Sequence, residues 1–400
     1  MIRSRKKRIL VLGAGLFQIS GIQKAVNLGY EVITLDNKPE NIGHALSHQS
    51  IHCSTVEIDR VYQYARVLNI DAICTFASDA AIPTVSYICD RLNLPGVSHD
   101  VAVTMTLKHL FRQFMHNHCL PHPDFVVAAE VYDVMDYVRQ MDYPLILKPV
   151  DSSGSRGVFK LNEYEGPIFL KKMFNEAKRY SRLGQVCIEE FIDGVEVGGD
   201  GFLLQGRFKA LFITQKYMND FVVTGHRLPT NIEESDKLRV ISALEQCCRA
   251  IGYSDGPLNF DVIAAPQSVY IIEMSPRTGG NGIPQLIEYA SGADLEAATI
   301  KMAFNEKIDI PLHGNMKGCG SLVYGNSKSG YLRNIASRRV LKEKIEEIFF
   351  VHTDVHIGQP VDAFEHNGNS MGFVLFSCRS HDEYKEIQCR IRHALAIEVV

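Results

Sequence analysis

The chain has few of the features that mark membrane, secreted or nucleic-acid-binding proteins. Its apolar runs fall well short of the roughly 18 residues of a membrane-spanning helix. Its net charge of −4 provides no overall field that would attract nucleic acid. Its ten cysteines form no C-x-x-C pair, and the basic residues 3–8 precede too short an apolar run for a signal peptide. We therefore expect a cytoplasmic protein with reduced thiols that binds neither nucleic acid nor membranes.

The composition is that of an ordinary globular enzyme. Of the 400 residues, 46% are hydrophobic and 22% are charged, and no internal repeat or low-complexity tract is present. A chain of this length is too long for one typical hydrophobic core, so two or three domains are expected.

The first hundred residues predict a doubly wound α/β domain. Arg8–Leu12 and Glu31–Leu35 have the pattern of buried strands on either side of a helix, and residues 13–15 (Gly-Ala-Gly) form the turn into that helix. Asp36 follows the second strand, as in a dinucleotide-binding fingerprint. The third glycine of that fingerprint is missing, because Gln18 stands in its place. We therefore favour a doubly wound domain without a dinucleotide over a Rossmann oxidoreductase.

Three histidines in this part have the spacing of possible metal ligands. His44, His48 and His52 are four residues apart, which on a helix would place them on one face. Gly43 and the polar residues 47–50 argue against a regular helix. We interpret the three as surface histidines.

The middle of the chain contains a candidate anion-binding segment. A strand at 143–150 carries Lys148, and a lysine in an apolar strand is rarely buried without an anionic partner. Small residues follow at 151–157, whose backbone N–H groups could surround a phosphate. The loop is not a P-loop, because no Gly-Lys-Ser/Thr ends it.

A predicted hairpin further on carries two carboxylates. Two β-rich runs flank the turn residues 266–268, which places Ala265 opposite Val269 and, counting outward, Asp261 opposite Glu273. Directly opposed carboxylates repel one another unless a cation lies between them. Mg²⁺ is suited to this position, because it binds one or two carboxylates and completes its octahedron with water and phosphate. The alternative is a solvated acidic face on an ordinary hairpin.

Taken in chain order, these features resemble the ATP-grasp superfamily. The features are two lysines, a small-residue loop, a Glu-Glu-Phe-Ile strand end, a further acid, the acid pair and an arginine: Lys108, Lys148, 152–157, 189–192, Glu196, Asp261, Glu273 and Arg277. The resemblance covers most of the chain, and its specificity comes from order and spacing rather than from one motif. Within the superfamily, the chain is similar to the carboxylate–amine ligase group, with carbamoyl-phosphate synthase large subunit, biotin carboxylase and L-amino acid ligases.

The resemblance implies a fold and a domain division. The fold class is α/β and α+β: an ATP-grasp fold with an N-terminal doubly wound (pre-ATP-grasp) domain and a small C-terminal α+β domain. The division is 1–107, then an ATP-grasp domain at 108–310 with a lid subdomain at about 120–195, then 311–400. The C-terminal part has no catalytic motif, and we expect it to shape the substrate pocket or a homodimer contact.

The resemblance also implies site residues, with ATP and Mg²⁺ as ligands and Mn²⁺ as an alternative metal. The phosphates would be held by Lys108 and Lys148 under a loop containing Ser152, Ser153, Gly154, Ser155 and Gly157. The nucleoside would be held by Glu189, by the backbone of Glu190 and Ile192, and by Glu196. The metal would be held by Asp261, Glu273 and Ser275, although the family usually has asparagine at the last position. The catalytic residues would be Arg277 and Lys148; Lys216 and His226 are either further γ-phosphate contacts or ordinary loop residues.

The implied function is an ATP-dependent ligase. It would activate a small-molecule carboxylate as an acyl phosphate, release ADP, and couple the acyl group to an amine, such as that of an amino acid. A carboxylase-type enzyme that forms carboxyphosphate is the alternative within the same fold. A nucleotide-binding module without turnover is the alternative of another class, and the presence of both Asp261 and Glu273 argues against it.

Overall fold

The N-terminal part is a parallel sheet flanked by helices. The computed structural model describes residues 5–312 and 314–400. The first elements are β1 (Arg8–Leu12), α1 (Ile19–Asn27), β2 (Glu31–Asp36), β3 (Gln49–His52), α2 (Ile58–Leu68), β4 (Ala72–Thr75), α3 (Ile82–Leu92) and α4 (His99–Thr106). The strand order is β3-β2-β1-β4 and every pairing is parallel, so the predicted doubly wound domain is confirmed.

Two polar side chains near the first turn of this domain make hydrogen bonds to the backbone of the same domain. Asp36 accepts a hydrogen bond from the Ala14 N–H at 2.8 Å. The buried Gln18 amide donates to the Phe76 carbonyl at 2.6 Å.

His52 lies on β3 and His44 in a 3₁₀ turn, so no helix places these histidines on one face.

A second, antiparallel sheet follows. Its part of the chain contains α5 (Lys108–Asn117), β5 (Phe125–Ala128), α6 (Met135–Val138), β6 (Leu145–Pro149), β7 (Phe159–Leu161), α7 (Pro167–Lys178) and β8 (Val186–Glu190). The strand order is β5-β8-β6-β7. This sheet lies within the range 120–195 that the sequence assigns to a lid.

The largest sheet has eight strands in the order β13-β12-β9-β10-β11-β14-β18-β16. The elements from its first strand to the end of the chain are β9 (Val195–Leu204), β10 (Arg207–Asn219), β11 (Val222–Leu228), α8 (Glu234–Ile251), β12 (Gly256–Ala264), β13 (Val269–Ser275), α9 (Ile283–Ser291), α10 (Leu295–Ala303), β14 (Cys319–Tyr324), β15 (Gly330–Asn334), α11 (Arg338–Lys344), β16 (Ile348–Thr353), β17 (Pro360–Val361), β18 (Gly372–Ser377), α12 (His381–Leu395) and β19 (Glu398–Val399). None of the described helices has the length and apolar character that crossing a membrane requires.

The C-terminal strands extend this central sheet. β11 pairs with β14 at Arg227–Gly320 and Leu228–Cys319, and β18 and β16 follow outward. Only β17, β15 and β19 form a separate small sheet. The predicted boundary at 310/311 therefore lies between strands that belong to one continuous sheet. The division of the chain into three domains stays a prediction.

Candidate functional site

A cavity of about 420 Å³ collects the predicted site residues. Its walls come from the N-terminal domain, from the β5–β8 sheet and from the eight-stranded sheet. All of the predicted site residues line it except Gly157 and Ser275, and Lys216 and His226 line it as well. Gly157 is buried instead against Tyr180 and Pro149. Predicted site residues up to 169 positions apart in the chain, Lys108 and Arg277, thus share one site.

The hairpin places the two acids opposite each other, as predicted, but the strand pairing near the turn differs from the predicted one. The turn pairs Ala264 with Val269, so the predicted pairing of Ala265 with Val269 is wrong by one residue. A β-bulge between Val262 and Asp261 corrects the register, because β13 contributes one extra residue there. Asp261 therefore pairs with Glu273, and Asn259 with Ser275.

Asp261 contacts a lysine from β10, which lies two strands away in the sheet, beyond β9. The Lys216 ammonium lies 3.0 Å from Asp261 and also bonds Glu196. Burial raises the pKa of Asp261 to about 6, with Lys216 opposing the rise and Glu196 and Glu273 adding to it. Burial alone would lower the pKa of Lys216, but the two carboxylates raise it above its ordinary value. A lysine between Glu196 and Asp261 marks a position where a cation is favourable.

The donor set near the acids suits a metal that also takes ligand oxygens. Ser275 is buried, and its hydroxyl has no hydrogen-bond partner of good geometry among the described residues, although it lies near Asp79. Nowhere in 5–312 or 314–400 do three or more His, Cys, Asp or Glu side chains form a ready-made metal cluster. Two carboxylates and one hydroxyl fit Mg²⁺, which typically completes its shell with water and phosphate.

Lys148 and Glu189 belong to a buried ionic triad. The Lys148 ammonium is 2.6 Å from Glu189, and Arg112 binds the same carboxylate through Nε at 2.9 Å. Burial alone would raise the pKa of Glu189, but the two cations outweigh it and lower the pKa to about 2. The Glu189 carboxylate is therefore occupied by protein cations, and its direct role is to hold Lys148. Two cations and one anion leave a net charge of +1 facing the cavity, which favours an anionic ligand.

The backbone near Glu190 leaves one donor for a ligand. The Glu190 N–H donates to the Asp124 carbonyl at 2.9 Å, and the Phe191 N–H to Pro144 at 3.0 Å. Among the described residues, the Ile192 N–H makes no backbone hydrogen bond. Ile192 lines the cavity, so its N–H is the donor available to an adenine edge.

Hydrogen bonds from other parts of the chain hold the small-residue loop in place. Lys108 donates to the Ser152 carbonyl at 2.7 Å and lies 3.5 Å from Glu273. Ser155 has a positive φ of 64° and donates through Oγ to the Phe221 carbonyl at 2.6 Å. The Asn367 N–H donates to the Gly154 carbonyl at 3.1 Å. A C-terminal residue thus holds this loop, which the sequence did not predict.

Arg277 is buried in a network that joins two parts of the molecule. Its Nε and Nη2 bind the Asp79 carboxylate at 2.8 and 2.7 Å, and its Nη1 binds Asn259 at 2.8 Å. Asn259 in turn bonds Asp200, which accepts the Gly279 N–H at 2.8 Å. Burial raises the pKa of Asp200 to about 6, although these donors oppose the rise. The Asp79 carboxylate occupies the fork of Arg277, and Nη1 also donates to the Thr278 carbonyl at 3.1 Å, so one N–H of the guanidinium is left for a further anion.

The protonation of His226 follows from its neighbours. Thr214 donates its hydroxyl hydrogen to the Gly198 carbonyl at 2.9 Å, so it accepts from His226 Nδ1 at 2.9 Å. Burial and the adjacent Lys216 lower the pKa of His226 to about 3, which keeps the ring neutral. Its Nε2 is therefore a hydrogen-bond acceptor on the cavity side.

Sequence reasoning missed Arg112, Asp200 and Asn367. Arg112 had a usable signal, because it lies one helical turn after Lys108 and next to Phe111 and Met115, on a face that should be buried. Asp200 and Asn367 lie among ordinary strand and loop residues and gave no such signal.

Comparison with known proteins agrees with this geometry. A model of the ATP-grasp domain matches residues 141–285. The uncharacterized protein y4rH of Sinorhizobium fredii is 27% identical over 242 residues, covering 59% of this chain and 49% of its own. Carnosine synthase 1 of Homo sapiens is 23% identical over 369 residues, covering 84% of this chain and 44% of its own. The chain thus spans less than half the length of these two curated relatives.

A solved structure has the same architecture over its whole length. The crystal structure of L-amino acid ligase from Bacillus licheniformis superposes with a TM-score of 0.83 at 19% identity, covering 99% of this chain and 100% of that one. At this identity the likeness concerns the fold. Residues 141–285 therefore match an ATP-grasp domain, and the sheet order and the superposition show that the chain shares the fold of this ligase structure.

Proposed function

We propose that the protein is an ATP-dependent carboxylate–amine ligase that uses Mg²⁺. One observation carries the proposal: Lys108, Lys148 and the Asp261–Glu273 pair line the same 420 Å³ cavity, with Lys108 3.5 Å from Glu273. Lysines and paired carboxylates in one cavity match a polyphosphate whose oxygens contact both an ammonium group and a metal. The ligase names of the relatives and the ATP-grasp domain support the same assignment.

The residues present fit ATP and Mg²⁺. The +1 triad around Lys148 provides an uncompensated cation for phosphate, and the Ile192 N–H provides a donor for adenine. Glu196 is half-buried at the cavity edge, where ribose hydroxyls could bond it. Asp261, Glu273 and the Ser275 hydroxyl would hold the metal, which when bound supplies charge neutralisation at the phosphates.

The chemistry needs positioning rather than a protein nucleophile. A carboxylate oxygen attacks the γ-phosphorus, the new O–P bond forms as the bond to the β–γ bridging oxygen breaks, and ADP leaves. The amine nitrogen then attacks the acyl carbon; the C–N bond forms, phosphate leaves and the amine loses a proton. Lys148 and Lys108 neutralise phosphate charge, and Arg277 offers its remaining N–H to the carboxylate or acyl phosphate. His226 Nε2 offers an acceptor to a substrate N–H.

Substrate identity and surroundings belong to the same proposal. A small-molecule carboxylate and an amine, with an amino acid among the candidates, are the proposed substrates. The ten cysteines are all free thiols, which supports the expected cytoplasmic location. A homodimer stays a prediction from the sequence.

The experiment is ADP and phosphate release with Mg-ATP against a panel of carboxylates, each with and without amines. Release that requires both partners supports the ligase. Release with bicarbonate alone supports the carboxyphosphate alternative, and no release with any pair supports a binding module. Hydroxylamine in place of the amine should trap the acyl phosphate as a hydroxamate.

Replacing Ser275 by alanine should separate metal binding from stability. The hydroxyl has no well-formed protein hydrogen bond, so Ser275→Ala should change the free energy of unfolding by less than about 1 kcal/mol. If Ser275 ligates the metal, the same change should raise the Mg²⁺ concentration for half-maximal ADP release several-fold. An unchanged Mg²⁺ requirement would remove Ser275 from the metal site.

A further inference from the structure

We propose that Arg112 is a positioning residue that joins the phosphate-binding lysine Lys148 to the metal-binding carboxylates. This inference rests on the proposed function and adds a residue to its site. Arg112 lies one turn after Lys108 on α5, and its side chain is 0% exposed. A guanidinium this deeply buried is costly unless its donors are paired.

One side of the Arg112 guanidinium fixes Lys148. Nε and Nη2 bind the two oxygens of Glu189 at 2.9 and 3.4 Å. Glu189 holds the Lys148 ammonium at 2.6 Å, and Lys148 lines the cavity. A fork that binds both carboxylate oxygens fixes the carboxylate plane, and the carboxylate then fixes the ammonium.

The other side of the guanidinium holds the bulge of the acid-bearing hairpin. Nη2 donates to the Ile272 carbonyl at 2.8 Å and Nη1 to the Ile271 carbonyl at 3.3 Å. Ile272 is the extra residue of the bulge, and β13 is an edge strand whose outer carbonyls have no strand partner. The bulge brings Glu273 opposite Asp261; without it the register from the turn would place Ile272 there. Arg112 thus stabilises the irregularity on which the metal pair depends.

This arrangement predicts a selective defect in Arg112→Lys. Lysine keeps the charge but lacks the planar fork, so it cannot bind Glu189 and two carbonyls together. We expect the affinity for ADP without metal to fall only a few-fold. The gain in ADP affinity on adding Mg²⁺ should fall at least about ten-fold, because both Lys148 and Glu273 lose their fixed positions.

Arg239→Lys is the matched control. Arg239 also binds a carbonyl of this hairpin, that of Ala265 at 2.7 Å, but at the turn rather than at the bulge. If these arginines only held the hairpin in place, both variants would lower the unfolding temperature, and the Mg²⁺ gain in ADP affinity would be the same in the two variants. The positioning role predicts that only Arg112→Lys reduces the Mg²⁺ gain.

The experiment is calorimetric titration of ADP, with and without Mg²⁺, into the wild type, Arg112→Lys, Arg239→Lys, Glu273→Gln and the Arg112→Lys/Glu273→Gln double variant. The expected result is a reduced Mg²⁺ gain in Arg112→Lys and a double variant that behaves like Glu273→Gln alone, because the two changes act on one contact chain. Additive losses, or a wild-type Mg²⁺ gain in Arg112→Lys, would overturn the proposal. If the wild type itself binds ADP without any Mg²⁺ gain, the proposed function fails instead.

Discussion

Replacing Glu189 by glutamine is expected to lower the free energy of unfolding by about 3–5 kcal/mol. Glu189 is the only anion in its triad, so the variant leaves Arg112 and Lys148 as two buried cations without a counter-charge. Removing the one anion of the triad is costly for this reason, whereas removing one of its two cations leaves a neutral ion pair. Urea unfolding of the wild type and the variant measures the difference.

Lys148→Met is the matched control for this result. It leaves Arg112 and Glu189 as a neutral pair, and burial already lowers the pKa of Lys148. We expect a stability change within about 1 kcal/mol, together with a loss of nucleotide binding. Equal destabilisation by the two variants would show that the +1 charge count of the triad does not govern its energetics.

Replacing Glu273 by glutamine is expected to lower ADP release about 1000-fold, since losing one metal carboxylate removes roughly 4 kcal/mol of charge stabilisation. The fold should remain intact, because Glu273 lies directly opposite Asp261 and two like charges at that distance repel. Steady-state ADP release and the unfolding temperature measure the two effects. The exposed Glu234→Gln on α8 should change neither. Near-normal ADP release in Glu273→Gln would contradict the metal assignment.

The register of the hairpin that carries Asp261 and Glu273 shows how much of the structure the sequence pattern predicts. Counting outward from the turn was enough to place Asp261 opposite Glu273. The turn pairing was wrong by one residue, and the bulge at Ile272 cancelled the error. A bulge depends on contacts from elsewhere, here the Arg112 guanidinium, and so cannot be read from the hairpin itself.

Side-chain partners were harder to predict than the positions of the site residues. The sequence gives no sign that Arg277 would be bound by Asp79, which is 198 positions away, in a 3₁₀ turn of the N-terminal domain. Glu189 was predicted to contact adenine, yet two cations from α5 and β6 occupy it. Such pairings are decided by how domains dock, whereas strand and helix patterns report only local structure.

The extent of the central sheet was also beyond the sequence. The resemblance implied a small C-terminal α+β domain at 311–400 but not the pairing of Arg227 and Leu228 with β14, by which the strands of that part extend the central sheet. Pairing between strands this far apart in the chain leaves no local sequence pattern, because the strand that lies beside β11 is selected by contacts between distant segments. The same C-terminal part supplies Asn367 to the small-residue loop.

The most direct test of the central claim is equilibrium binding of a non-hydrolysable ATP analogue with and without Mg²⁺, which requires no knowledge of the substrates. The wild type should bind the analogue and should bind it more tightly with Mg²⁺. Lys148→Met should lose binding under both conditions, while Glu273→Gln should keep the metal-free affinity and lose the Mg²⁺ gain. A wild type that binds no analogue, or a Glu273→Gln variant with the full Mg²⁺ gain, would contradict a Mg-ATP site in this cavity.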